Sequence, residues 1–220
     1  MNILGIDTST DNCSVGLVRD GVVVKKKSER GRSMASERLV SLIDKVIVEM
    51  IQMDQIDAIA VSIGPGSYTG LRIGLSTAKG LALPGQLPVL PVPTMAVLES
   101  VARRDIDSDM VLLIKSHRDL AYHIRSNREC FLDLKAMTIN YNSFSEIFEK
   151  YKDISTFVSP SIIELPTGEQ VHTIYPEGDH VALLAHRHYE QLIFLSKSDL
   201  EPLYFSEFEA KKWTPQPQSG

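Results

Sequence analysis

Apolar positions along the chain fall into short runs divided by polar turns, and the spacing within each run sets the element it forms. Asn2–Asp7 is mostly apolar and predicts a buried strand, while Cys13, Val15 and Leu17 alternate with smaller residues and predict a second strand over Cys13–Arg19. Asp20-Gly21 tolerates positive φ at both positions and predicts a tight hairpin into a third strand, Val22–Lys27, so the chain opens as an antiparallel meander. A helix from about Ser36 to Met50 follows, with Leu39, Ile43, Val46, Ile47 and Met50 on one face and Ser33 or Ser36 as N-cap. Ala58–Ile63 reads as a short buried strand and Thr69–Leu83 as a second helix stopped by Pro84-Gly85. Val89–Val92 reads as a further strand, and Thr94 caps a third helix to about Ala102. Past Arg103-Arg104-Asp105, strands are predicted at Met110–Lys115, Leu120–Ser126 and Cys130–Thr138. A helix near Ser143–Tyr151, a strand near Ile154–Val158 and one long helix over Asp179–Leu195 complete the pattern.

Three meander strands, helix, strand, helix, strand, helix is the succession of a ribonuclease-H-like α/β unit, and links this short require parallel right-handed crossovers. The strand-rich remainder predicts a truncated copy, giving an N-terminal lobe at 1–104 and a smaller, reduced lobe at 105–220. A composition 43% hydrophobic and 23% charged is that of an ordinary globular protein. No apolar run nears the ~20 residues of a membrane span, and the opening MNILGIDTST lacks the basic segment of a secretory signal. A cytoplasmic protein with no membrane partner is expected. Cys13 and Cys130 then read as free thiols with packing roles. A net charge of −5 argues against autonomous binding of nucleic acid. The basic stretch from Arg19 to Arg38 reads as a solvated edge strand guarded by lysines, with contact to RNA in a larger assembly as the alternative.

The chemistry centres on GPGSYTGLRIG, Gly64 to Gly74. Its glycine spacing matches neither the dinucleotide fingerprint nor a Walker A loop, although the glycines and Ser67 before a helix N-terminus could hold an anion weakly. Gly70, Gly74, Ala78 and Ala82 form a ridge of minimal side chains at i+4 spacing that admits close packing, either against the protein's own sheet or against a partner's helix. Asp7, followed by Thr8, Ser9 and Thr10, ends the first strand where related folds approach Mg²⁺ and phosphate. Asp7 to Thr10 with Gly64, Gly66 and Ser67 is therefore a candidate vestigial nucleotide site. No glycine lies between Gln86 and Thr167 to build its second half. His117, His123, His172, His180, His186 and His188 show no metal-ligand spacing, and no nucleophile has an evident base, so neither a metal site nor a catalytic residue is expected. A small ATPase or phosphotransferase using Asp7 and the Gly64 loop stays open as an alternative, and a metal-dependent nuclease as a weaker one.

ILGIDTSTDNCSVGL (Ile3 to Leu17), SERLVSLID (Ser36 to Asp44) and above all GPGSYTGLRIGLSTAKGLAL (Gly64 to Leu83) resemble the TsaB family, also called YeaZ. The resemblance implies two lobes of the actin/hexokinase/heat-shock-chaperone type, the second reduced. It implies a cytoplasmic, non-catalytic partner of a TsaD-type transferase that makes threonylcarbamoyladenosine beside the tRNA anticodon, with a TsaE-type ATPase joining the complex. It also implies a homodimer in isolation, tRNA met only through the complex, no intrinsic cofactor, and ATP held weakly or at the complex interface. TsaD proteins bind metal through paired histidines after the strand equivalent to Val89–Val92, where this chain has Pro93–Ser100 and no histidine. Glycoprotease-type names for such sequences are accordingly set aside. The family's partner contact corresponds here to Leu39, Ile43, Val46, Ile47 and Met50 of the first helix. In the second it corresponds to Gly70, Leu71, Ile73, Gly74, Thr77, Ala78, Leu81 and Ala82. The chain departs from the family pattern at Ala35, at Lys115-Ser116-His117-Arg118, and at Phe205-Ser206 after the terminal tyrosine.

Overall fold

The computed structural model describes residues 1–48, 50–126, 132, 138–163, 170–196 and 199–204. Strands β1 (Asn2–Asp7), β2 (Asn12–Arg19) and β3 (Val22–Arg30) form the opening meander, with Asp20 at φ 48 and Gly21 at φ 79 in the turn, as that dipeptide allows. Helix α1 (Met34–Ile47), strand β4 (Ala58–Ser62), helix α2 (Tyr68–Ala82), strand β5 (Val89–Val92) and helix α3 (Thr94–Ala102) follow. The first sheet runs β3-β2-β1-β4-β5, antiparallel through β1 and parallel beyond it. That order is the ribonuclease-H-like one.

Period-two alternation divides this sheet between two cores. Leu4, Ile6, Val15, Leu17, Ile59 and Val61 point to one side, where Leu39, Leu42, Ile43, Val46 and Ile47 of α1 and Leu75 and Ala78 of α2 cover them. Burying each large apolar side chain of α1 contributes about 1.5–3 kcal/mol, which is what fixes that helix face. Ile3, Val18, Ala58 and Ala60 point to the other side, and there the cover comes from the far end of the chain, from Val181, Ala182, Leu184 and Ala185.

The second half contributes β6 (Met110–Lys115), β7 (Leu120–Ser126), β8 (Asn140–Ser143), α4 (Phe144–Lys150), β9 (Thr156–Ser159), β10 (Gln170–Thr173), α5 (Gly178–Arg187) and α6 (Tyr189–Leu195). Its sheet runs β8-β7-β6-β9-β10, the same order and directions as the first. The sheet itself is complete. The link from β9 to β10 spans only 160–169, whereas 63–88 join β4 to β5 and hold α2.

Several expectations need correction. Helices α5 and α6 belong to the first sheet rather than to a lobe at 105–220. Gly5 and Gly16 pair across β1 and β2, and a Cβ there would sit 2.0 Å from the Gly178 carbonyl oxygen and 2.3 Å from the Asp179 nitrogen. Gly178 completes the approach, since a Cβ there would lie 2.5 Å from the Gly5 carbonyl oxygen. The single long helix breaks at His188 (φ −119), so that α6 can turn and put Leu192 in the core. The strand expected over Cys130–Thr138 falls almost wholly outside the described residues, and β8 completes the meander instead. Ser33 precedes α1 at φ 62 with no side-chain cap, its carbonyl accepting from Ser36 and Glu37. Pro93, not Thr94, is the N-cap of α3, and the Thr94 hydroxyl is buried without a hydrogen-bond partner among the described residues.

Candidate functional site

A cleft of about 2090 Å³ separates the lobes. The β1–β2 turn, the β3–α1 loop and the start of α2 wall it on one side, and the β6–β7 turn on the other. Ser9, Thr10, Gly66 and Ser67 from the candidate nucleotide set line it, whereas Asp7 and Thr8 do not. Asp7 is fully buried at its base, accepting from the Ser9 amide at 3.1 Å, from the Ser9 hydroxyl and from the Ser62 hydroxyl. Burial pushes its pKa up to about 7 against those hydrogen bonds, with Glu177 adding a smaller push in the same direction. Both oxygens of the carboxylate thus accept from groups of this chain. Gly64 lies under the Leu203 carbonyl, 2.9 Å from where its Cβ would be.

The small ridge of α2 faces this same turn, which corrects its assignment to the partner surface. A Cβ on Gly66 would lie 2.2 Å from the Ser9 carbonyl oxygen, one on Gly70 2.1 Å from that of Thr8, and one on Gly74 2.2 Å from the Thr8 hydroxyl. Thr8 in turn donates to the Gly70 carbonyl at 2.8 Å, and the Ser67 amide donates to Ser9 at 2.7 Å. The glycines thus seat the β1–β2 turn on the helix. Ala78 and Ala82 continue into the core. Leu39, Ile43, Val46, Ile47 and Leu71 are likewise buried within the chain, because the first sheet needs them as cover.

The outer faces of α1 and α2 carry what remains of the predicted contact. Ile73, Thr77 and Leu81 are half-buried on α2, and Met50 is exposed beyond α1. Three residues that sequence reasoning missed join them: Val40 at 65% exposure, Val48 at 76% and Leu83 at 77%. Val40, Asp44 and Val48 repeat at i+4, so the signal was present, but the periodicity of the buried face dominated it. Between the helices runs a pocket of about 330 Å³ lined mainly by Ile43, Ile47, Val48, Ile51, Met53 and Leu81. On α2, Gly80 is exposed, with nothing within 4 Å of a Cβ.

The basic stretch is largely an edge strand: β3 lies at the sheet edge and is exposed along most of its length. Its Lys26 bonds Glu177 at 2.6 Å and lies 3.4 Å from Asp179. Glu177, Asp179 and His180 place their ligand atoms within 4.8 Å of one another, and the Lys26 ammonium already serves as their cation. The buried Cys13 thiol is pushed up to about 12 by burial and then by Asp7 and Glu29. Cys130 lies outside the described residues. No described helix is long and apolar enough to cross a membrane.

Residues 31–155 match the family described as TsaD: tRNA N6-adenosine threonylcarbamoyltransferase. The chain is 27% identical to the tRNA threonylcarbamoyladenosine biosynthesis protein TsaB of Haemophilus influenzae, over 93% of each chain. It is 38% identical to the protein of that name from Escherichia coli K12, over 51% of this chain and 48% of that one. Among solved structures, YeaZ from Pseudomonas aeruginosa shares the fold at a TM-score of 0.73 and 22% identity, covering 93% of this chain and 99% of its own. The chain belongs to the TsaD family, and within it to the TsaB (YeaZ) group of tRNA threonylcarbamoyladenosine biosynthesis proteins.

Proposed function

We propose that this chain is a non-catalytic subunit that binds and activates a TsaD-type transferase in tRNA threonylcarbamoyladenosine synthesis. The observation that carries the reading is the exposure of Val40 on α1 and of Val48 at its C-cap, with Val48 sharing a pocket with Leu81 of α2, while Gly80 leaves the backbone of α2 open to close approach by a partner helix. A TsaE-type ATPase would join that pair. A homodimer would use the same surface when the transferase is absent, and the compartment would be the cytoplasm. The burial of Asp7 supports a non-enzymatic role, since its oxygens are already engaged by the Ser9 amide and the Ser9 and Ser62 hydroxyls. Any ATP would then be held at the interface with the partner rather than by Asp7.

Size-exclusion chromatography with the cognate TsaD-type protein tests this. The unaltered chain should co-elute, and Val48→Glu should not, while its melting temperature stays within a few degrees because the side chain is 76% exposed. Separate elution of the unaltered chain refutes the reading. Calorimetric binding of Mg-ATP that Asp7→Asn abolishes would restore the phosphotransferase alternative.

A further inference from the structure

We propose that the cleft between the lobes is a contact groove for single-stranded RNA. The chain as a whole has 23 Lys and Arg against 28 Asp and Glu, yet the cleft reverses that balance. Arg32, Arg72, Lys115 and Arg118 line it, and its lining acid is Asp11. Arg32 comes from the β3–α1 loop of one lobe, and Lys115 and Arg118 from the β6–β7 turn of the other. All three are exposed, and none has a hydrogen-bond or ion-pair partner among the described residues. Cations gathered on facing walls repel one another and create a field that a polyanion relieves. Arg118 stands at φ 56, a backbone conformation that non-glycine residues seldom adopt and that is held where a side chain must be aimed.

The fourth cation belongs to a stack. The Arg72 guanidinium lies 4.0 Å from the centroid of the Tyr68 ring and donates to the Tyr204 hydroxyl at 2.8 Å, and the two rings are 5.0 Å apart. Tyr204 is 43% exposed at the cleft wall. An exposed ring beside a guanidinium is a platform on which an unpaired base stacks, whatever its identity. Phosphates for the cations and bases for the ring describe one ligand.

Its size and walls favour RNA over a free nucleotide. Small-ligand sites occupy about 300–1,000 Å³, and this cleft is about 2090 Å³. The β6–β7 turn, Ser116-His117-Arg118-Asp119, has no glycine with which to bring backbone amides onto a triphosphate. An acidic peptide would satisfy the cations but leave the tyrosine platform without a role. The net charge of −5 keeps the grip of the isolated chain weak, so the groove adds to the hold of an assembly rather than replacing it. The choice of RNA rests on the tRNA role proposed above; the charge of the groove does not.

Fluorescence anisotropy of the full chain with a labelled twelve-nucleotide single-stranded RNA tests the proposal. At 50 mM salt a dissociation constant of about 10–100 µM is expected, and three phosphate contacts should weaken it about 20-fold by 200 mM. Arg118→Ala should reduce that salt effect to about sevenfold without moving the melting temperature, and Lys45→Ala, on the exposed last turn of α1, should change neither. Absence of RNA binding at 50 mM, equal salt dependence in all three proteins, or preference for an oligoglutamate peptide or Mg-ATP over the RNA would each overturn it. Arg118→Ala should still co-elute with the transferase, so a failure of the groove and a failure of the proposed assembly give different results.

Discussion

Asp7→Asn isolates the cost of keeping a carboxylate sealed under the β1–β2 turn. In the fold the group titrates at about 7, against 3.8 when solvated, because burial outweighs the hydrogen bonds from Ser62 and Ser9. A carboxyl raised in this way favours the folded state while protonated. Its contribution is complete below about pH 3.8 and is lost as the pH rises through 7. The whole difference corresponds to about 4 kcal/mol, of which about 2.5 kcal/mol falls between pH 5 and pH 8. Asparagine keeps an acceptor for the Ser62 hydroxyl and does not titrate. Urea unfolding followed by circular dichroism across that interval should show the unaltered chain losing about 2.5 kcal/mol more than the variant. His123, His180 and His188 are all lowered by burial and contribute with the opposite sign, but they are present in both proteins and cancel in the difference. Parallel stability profiles would refute the burial of a titrating Asp7.

Two substitutions of one type on α2 should act in opposite directions. Gly70→Ala places a methyl about 2.1 Å from the Thr8 carbonyl oxygen and should cost about 2 kcal/mol by urea unfolding, despite the better helix propensity of alanine. Gly80→Ala meets open space and should raise monomer stability by up to about 1 kcal/mol while weakening co-elution with the transferase. The same sign for both would mean that the helix is not seated as described. With Cys130→Ser as background, Cys13 at about 12 should react with iodoacetamide at pH 8 about a thousandfold more slowly than in urea, and comparable rates would contradict its burial.

The first lobe was legible because each of its elements buries a face with one clear period. The meander, β5 and the helix ends of α2 and α3 all follow from apolar spacing together with Asp20-Gly21 and Pro84-Gly85. The second lobe was less so, since β10 is four residues, Gln170–Thr173, and is held by a parallel neighbour rather than by any pattern of its own. That α5 crosses back to the first sheet was encoded in Gly5, Gly16 and Gly178, but isolated glycines do not name the backbone they admit. Of the two serine candidates, Ser33 is the N-cap of α1, although its side chain makes no capping bond. Met34 starts the helix, and at φ 62 Ser33 turns its carbonyl rather than its hydroxyl to the first turn, accepting from the amides of Ser36 and Glu37.

The glycine-rich start of α2 shows why small residues alone could not locate the partner surface. A ridge at i+4 spacing permits close approach from either side of a helix, and only the atoms opposite it decide which. Here they are the carbonyl of Thr8, the hydroxyl of Thr8 and the carbonyl of Ser9, so the ridge is consumed in holding the turn above Asp7. The outer side of that turn, Ser9 and Thr10, still lines the cleft. Its inner side is tied down by Gly66, Gly70 and Gly74 from below and by Ser9 and Ser62 around the carboxylate. Farther along the same helix Ile73 and Leu81 stay half-buried against the core under α1, whereas Gly80 meets open space. The exposed positions of α2 are Thr69, Arg72, Ser76, Lys79 and Gly80, so its inner edge is fixed by its own chain while its outer edge faces solvent. On that arrangement, loosening the ridge should disturb the cleft before it disturbs the partner contact.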